Sequence, residues 1–326
     1  MPLDYHVGDT RELIKEIPDE SVDLIATSPP FLGLRSYLAD DDPSKPAEIG
    51  TEGRPANFIQ VLLELTQEWA RVLKPTGSIA VELGDTYADS GGAGGDYGAG
   101  GSREGQPKWR ANRGRNETDI GRNKMGGDRP GGHHQGGSGW PLGKSMCLIP
   151  HLYAGSLAYG RNLLTGQECE QWRIRNVICW ARPNPTPGAQ GDKYRKGTSY
   201  ITVACKNRER YWNREGVDSD EGVPPLDWGE ETWVIPGAGI PKSPVKGQAT
   251  ESHYAVFPEE IPRRLILSMC PPGGLVLDPF AGAGTTLAAA EGVGRSAIGF
   301  DLDVRNAEVA RERVGMFLNL HLPSER

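Results

Sequence analysis

The residues from Leu277 to Thr286, Leu-Asp-Pro-Phe-Ala-Gly-Ala-Gly-Thr-Thr, read as a strand, a glycine-rich turn and the start of a helix. Glycines at 282 and 284 let backbone amides and a helix N-terminus come close to a ligand. A Gly-x-Gly pair alone also suits a dinucleotide, but Asp278 at the strand tip would repel a pyrophosphate. It suits a ligand end that carries an ammonium beside a carboxylate, as methionine does. Twenty-three residues further on, Asp301 closes the next apolar run, where an acidic side chain accepts hydrogen bonds from both hydroxyls of a ribose. An amino-acid end and a ribose together describe S-adenosylmethionine, with Pro279, Phe280 and Thr285 completing the turn that would cradle it. The alternative is a pair of carboxylates that merely cap strand ends; their spacing around a glycine turn counts against it.

A second cluster stands near the N-terminus. Ser28-Pro29-Pro30-Phe31 follows a β-branched apolar run and sits where a strand meets a proline-stopped loop. In isolation such a string is far more often an ordinary turn than a catalytic loop, so its meaning depends on context. The chemistry it suits is methylation of an exocyclic amine on a nucleobase. That nitrogen is a poor nucleophile because its lone pair is delocalised into the ring. Acceptors for its two protons favour a pyramidal nitrogen and free the lone pair, and the Ser28 hydroxyl and the Pro29 carbonyl, fixed by rigid prolines, supply two. Phe31 offers a face on which a base turned out of the helix can stack. Neither a thiol nucleophile nor a metal is required.

These residues need a scaffold that brings strand ends together. Residues 21–27 read as a strand, and apolar positions 58, 61, 62, 65, 69, 72 and 73 carry a helical spacing. Lys74 to Gly77 should end that helix before a buried strand at 78–83. Further strands are expected at 176–180, 199–204, 275–278 and 296–301, with helices at 259–269 and 285–292. Strands alternating with helices predict an α/β fold with a doubly wound, mostly parallel sheet. Between Ser90 and Lys144 Gly, Arg, Asn, Asp and His dominate and aliphatic residues nearly vanish, which reads as an insertion unable to build a core. The chain therefore divides into a catalytic half at 1–89, the Gly-rich insertion at 90–144 and a core helix and strand at 145–182. A core strand with a DNA target-recognition region follows at 183–250, then a cofactor half at 251–320 and a tail at 321–326.

Composition narrows the class. No run approaches the ~18 apolar residues of a membrane span, and the N-terminus lacks the pattern of a signal peptide. The five cysteines are scattered without a Cys-x-x-Cys pair, which argues against a disulfide framework and a structural zinc site and points to the cytoplasm. Net charge is −7, yet residues 103–129 carry +4 and residues 161–214 carry +7. Such basic faces can hold a polyanion on an otherwise acidic protein, although solvated loops would look the same.

Together these residues resemble the amino-methylating DNA methyltransferases of the β arrangement, in which a Ser/Asp-Pro-Pro-aromatic motif precedes the cofactor motif. Here SPPF at 28–31 precedes DPFAGAGTT at 278–286. The likeness extends to Gly8-Asp9, Gly33-Leu34-Arg35-Ser36-Tyr37, VLKPTGSIAVELGDTY at 72–87, RNVICWARPNP at 175–185 and SHYAVFPEEIPRRLI at 252–266. It covers most of residues 4–88, 145–212 and 250–314. The resemblance implies the Rossmann-like methyltransferase fold in permuted motif order with loop-rich insertions, S-adenosylmethionine as cofactor, and double-stranded DNA with a flipped base as substrate. It also implies a setting in restriction-modification. By the same resemblance Asp9 lies near the cofactor's adenine, and His253, Phe257 and Pro258 beside its methionine. Arg35, Arg182, Lys193, Arg195 and Lys196 are the candidate DNA contacts. The serine form of the motif is associated with cytosine N4 and the aspartate form more often with adenine N6, so cytosine N4 is the expected target and adenine N6 the alternative. Methylation of RNA or of protein glutamine, and a catalytically silent DNA-binding protein, are the remaining readings. Monomer and homodimer stay open. Two features depart from the family: Thr198-Ser199-Tyr200 stands where relatives carry His-Glu-Tyr, and the insertion at 90–144 is long.

Overall fold

The computed structural model describes residues 1–33, 37–39, 41–88, 139–184, 193–214, 231–237 and 258–322. Local sequence explains most elements. Val22–Thr27 is buried at every position and forms strand β2, as expected of a strand covered on both faces. Helix α2, Pro55–Val72, starts with a proline in its first turn and buries Phe58, Leu62, Leu65, Trp69 and Val72 along one side. Each fully buried side chain of that size contributes about 1.5–3 kcal/mol, enough for this one stripe to anchor the helix. The remaining strands are β1 (Leu3–Val7), β3 (Leu73–Leu83), β4 (Arg173–Ala181), β5 (Thr198–Cys205), β6 (Thr232–Val234), β7 (Leu275–Asp278), β8 (Ser296–Asp301) and β9 (Leu318–His321). The other helices are α1 (Thr10–Leu13), α3 (Ile149–Tyr159), α4 (Glu260–Met269), α5 (Thr285–Gly292) and α6 (Arg305–Val314).

The nine strands form one sheet in the order β6-β4-β5-β3-β2-β7-β8-β1-β9. All neighbours run parallel except β5, which is antiparallel to both β3 and β4. The doubly wound, mostly parallel sheet expected from the sequence is therefore present, with a hairpin-like pair on one side. Strand β3 begins at Leu73, earlier than the expected 78, and its pairing with β2 jumps from Val22↔Leu73 to Leu24↔Ser78. The Lys74–Gly77 turn is looped out of the ladder. Two apolar clusters cover the faces: Leu24, Ala26 and Val276 pack with α4, α5 and α6, whereas Ile25, Ile79 and Val81 pack with α2 and α3.

The chain order builds a crevice. From β1 the chain crosses to β2, leaving a gap that β7 and β8 later fill, so the strands end side by side as β2, β7, β8 and β1. All four are parallel, and their carboxyl ends share one edge. Ligands in open α/β sheets bind at such a reversal. Among the described residues no helix is long and apolar enough to cross a membrane.

Candidate active site

Four strand ends line up along that edge: Thr27 ends β2, Asp278 ends β7, Asp301 ends β8, and Val7 ends β1 just before Gly8 and Asp9. A solvent-open cleft of about 910 Å³ lies there, lined by Ser28 and Pro30 from the first motif and by Pro279, Phe280, Gly282 and Thr285 from the second. Asp9, Asp301, Asp303 and Glu48 also line it, and no Lys, Arg or His does so among the described residues.

The glycine turn is fixed from several sides. Gly282 (φ 49°) and Gly284 (φ 74°) both adopt the left-handed backbone that favours glycine. A Cβ at 284 would lie 3.0 Å from the Ala310 methyl, so this glycine serves packing of α5 against α6 as well as conformation. The Gly282 amide donates to Asp301 Oδ2 at 2.9 Å, and the buried Tyr5 hydroxyl donates to the Gly282 carbonyl at 2.7 Å. Burial, reinforced by the charges of Asp301, Asp278 and Asp303, pushes the Tyr5 phenol far above its ordinary range, keeping it a neutral donor. Asp301 Oδ1 accepts from the Asp303 amide and Asn306 Nδ2, both at 2.8 Å. Asp9 caps α1 by accepting from the Arg11 amide at 2.9 Å.

Asp278 sits differently from the expectation that it meets a ligand's ammonium. It is 1% exposed and does not line the cleft. Oδ1 accepts from Thr27 Oγ1 at 2.6 Å and the Phe280 amide at 3.1 Å, and Oδ2 accepts from Thr286 Oγ1 at 2.6 Å. Burial pushes its carboxyl up to about 6, against those three donors.

Ser28 donates to Glu82 Oε2 at 2.6 Å, and Glu82, on β3, is buried with no hydrogen-bond partner for Oε1 among the described residues. Burial raises the Glu82 carboxyl above the ordinary carboxylate range, opposed by the dipoles of the Ser199 and Ser28 hydroxyls and the charges of Arg182 and Lys196. Sequence reasoning passed over Glu82, one polar residue in the apolar run 78–83; a carboxylate in a strand buried on both faces was the available signal. Pro29 is buried, and Phe31 is half-buried with its ring over Gly84, where a Cβ would approach to 2.4 Å; neither lines the cleft. Asp303, Tyr37 and Glu48, on loops, and Asn306, in the first turn of α6, were also missed, because only the fold brings them to the cleft.

The candidate DNA contacts divide. Lys193 and Arg195 are exposed, Lys193 over the Tyr87 ring. Arg182 lies over the Trp180 ring and donates to Ser199 Oγ at 3.1 Å. The Lys196 ammonium donates to the Asp85 carbonyl, and burial pulls it down to about 8 against the opposing charge of Asp85. Pro258 lies at the approach to α4, its carbonyl accepting from the Ile261 amide at 3.0 Å, and does not line the cleft. Arg35, His253 and Phe257 lie outside the described residues.

A Rossmann-like sheet with a serine loop and a glycine turn sharing one cleft defines the class, and the sequence bears it out: residues 22–312 match the DNA methylase family N6_N4_Mtase, and the chain belongs to it. The chain is 28% identical over 315 residues to the Type II methyltransferase M.SmaI of Serratia marcescens, spanning 94% of this chain and 89% of that protein. It is 27% identical over 307 residues to the Type II methyltransferase M.Cfr9I of Citrobacter freundii, spanning 94% and 86%. Among solved structures, PvuII DNA methyltransferase (cytosine-N4-specific) superposes with a TM-score of 0.61 at 17% identity, over 96% of this chain and 86% of that one. A putative DNA modification methylase of Thermus thermophilus, complexed with S-adenosyl-L-methionine, gives 0.57 at 23% identity, over 99% and 100%. At these identities the two superpositions speak to the fold.

Proposed function

We propose that this DNA methylase transfers a methyl group from S-adenosylmethionine to the exocyclic N4 amine of a cytosine flipped out of duplex DNA. The observation that carries the reading is that Ser28 and Asp301 line one cleft with the Gly282 turn between them. The cleft's chemistry fits the cofactor. Asp9, Glu48 and Asp303 pair with Arg11, Lys45 and Arg305, but it is the carboxylates, with Asp301, and not those bases that line the cleft, which suits a ligand bearing sulfonium and ammonium charges better than a pyrophosphate. In this reading Asp301 takes the ribose, Asp9 the adenine and the amides at the start of α5 the carboxylate. When bound, the cofactor supplies an electrophilic methyl on sulfur.

The chain's own residues then do the rest. Because Ser28 gives its proton to Glu82, its lone pairs remain for the target amine, which makes it an acceptor rather than a donor. The Pro29 carbonyl is proposed as the second acceptor, although Pro29 itself is buried behind the lining formed by Ser28 and Pro30. As the nitrogen–carbon bond forms, the nitrogen gains positive charge and must release a proton. Ser28 can take it while passing its own to Glu82, whose raised affinity for protons suits that task. Lys193 and Arg195, exposed just before β5 on the same edge of the sheet, meet phosphates in this reading.

Ser28→Ala tests this assignment. The interaction strengthens as the nitrogen pyramidalises, so its loss falls on the transition state. Single-turnover methyl transfer should drop about 10²–10³-fold, while calorimetric affinity for S-adenosylmethionine holds. A near-normal rate refutes the role given to the loop.

A further inference from the structure

We propose that Asp278 is a positioning residue that bolts the base-holding strand to the donor-holding helix, and not a ligand of the donor. The inference rests on the methyl-transfer reading above. It begins with the three donors that converge on one buried carboxylate. Thr27 Oγ1 comes from the last residue of β2, directly before Ser28. Thr286 Oγ1 comes from the first turn of α5, directly after the cleft-lining Thr285. The Phe280 amide comes from the turn itself. Neither Thr27 nor Thr286 lines the cleft, and both are buried.

The two sides of the reaction are thereby tied to each other. The amine is held by the loop after Thr27, the donor by the turn and helix around Thr286, and Asp278 spans them with a bond of 2.6 Å to each hydroxyl. Tyr5 and Asp301 pin the Gly282 turn to β1 and β8, but those bonds do not reach β2. Asp278 lies on β7, the strand between, and β2 pairs with β7 through Leu24↔Val276 and Ile25↔Leu277 only. Beyond that short ladder the strand tips need a side-chain link to keep register. A carboxylate serves because it accepts from both sides at once; burial makes it a costly choice for packing alone. Misplacement of about 1 Å between reacting groups can cost ~10²-fold in rate, so the link's effect belongs on the chemical step.

Three variants test this, each measured by single-turnover transfer to duplex DNA at saturating S-adenosylmethionine and by calorimetric affinity for that cofactor. Asp278→Ala and Thr27→Val should each lower the single-turnover rate about ten- to hundredfold and leave the cofactor affinity within about threefold. Asp278→Asn should recover most of the lost rate, because its amide can accept from one threonine and donate to the other. A loss of about tenfold or more in cofactor affinity for Asp278→Asn overturns the proposal, since it shows the charge itself meeting the donor. A wild-type rate in Thr27→Val overturns it as well. Should Thr27→Val fail to fold, the paired rate and affinity of Asp278→Asn still decide. Absence of any transfer to DNA by the wild-type protein is a different result and overturns the methyl-transfer reading itself.

Discussion

At the scale of single residues, the buried carboxylates carry the consequences that are easiest to measure. Asp278 is held up to about 6 against an ordinary value of 3.8, mainly by burial. A raised value means that the native state binds this proton more tightly than the unfolded chain does. The stabilisation is therefore full below about pH 4 and is lost as pH rises through about 6. Asp278→Asn cannot ionise and escapes that loss. Its stability relative to wild type should rise between pH 4 and pH 7, on the order of 1.4 kcal/mol for each pH unit by which the carboxyl is displaced, and its melting temperature relative to wild type should rise with it. A difference that stays flat across that range contradicts the assignment. The same residue shows where sequence reading stops. That Asp278 ends a strand beside a glycine turn was legible from ten consecutive residues. The direction of its carboxylate was not, because it is set by Thr27, 251 positions away in the chain. Glu82 was missed for a related reason: its partner Ser28 is 54 positions distant and joins it only across the β2–β3 ladder.

At the scale of elements, legibility followed local punctuation. β7, α5 and β8 carry the boundaries expected of them, since Gly273-Gly274, the Gly282 turn and Gly292–Gly294 mark their ends. β1 went unread although its buried and half-buried positions alternate with period two, because five residues give a weak signal. The antiparallel direction of β5, whose Thr198 pairs with Ala181 at the end of β4, is a tertiary outcome that the strand pattern alone does not carry. Most of the Gly-rich insertion lies outside the described residues, but its neck does not. Tyr87 bridges Met146, and the Ala88 amide and carbonyl bond to Ser145 and Lys144 at 2.9 and 3.0 Å. Asp85 secures the far side by accepting from the Leu148 and Ile149 amides at 3.0 and 3.1 Å, capping α3. A neck closed in this way makes the span beyond it dispensable to the core. Deleting residues 95–134 should shift the melting temperature by less than about 2 °C, the equivalent of roughly 1 kcal/mol for a chain of this size. A larger drop in a thermal scan would show that the segment packs on the sheet.

For the whole molecule, the fold redistributes charge that looked continuous in the sequence. The basic segment 161–214 splits between the two edges of the sheet. Arg182, Lys193, Arg195 and Lys196 adjoin the carboxyl end of β4, on the same edge of the sheet as the cleft, whereas Arg173, Arg175, Arg208 and Arg210 lie at its amino end. Lys196 is tied to Asp85 and half-buried, so phosphates should meet Lys193 and Arg195 instead. Replacing those two by alanine should flatten the log–log salt dependence of DNA binding by about 0.9 for each phosphate that is no longer neutralised. Arg208→Ala, on the far edge, should leave the slope unchanged, and equal slopes in all variants would contradict the placement. The central claim concerns the product, and one measurement reaches it directly. DNA from a methylation-free host expressing this protein, digested to nucleosides and resolved by mass spectrometry, should contain N4-methylcytosine, and Ser28→Ala should lower its yield sharply. N6-methyladenine in its place would keep the amine mechanism and contradict the target base; unmethylated DNA, or a methyl on a ring carbon, would contradict the account.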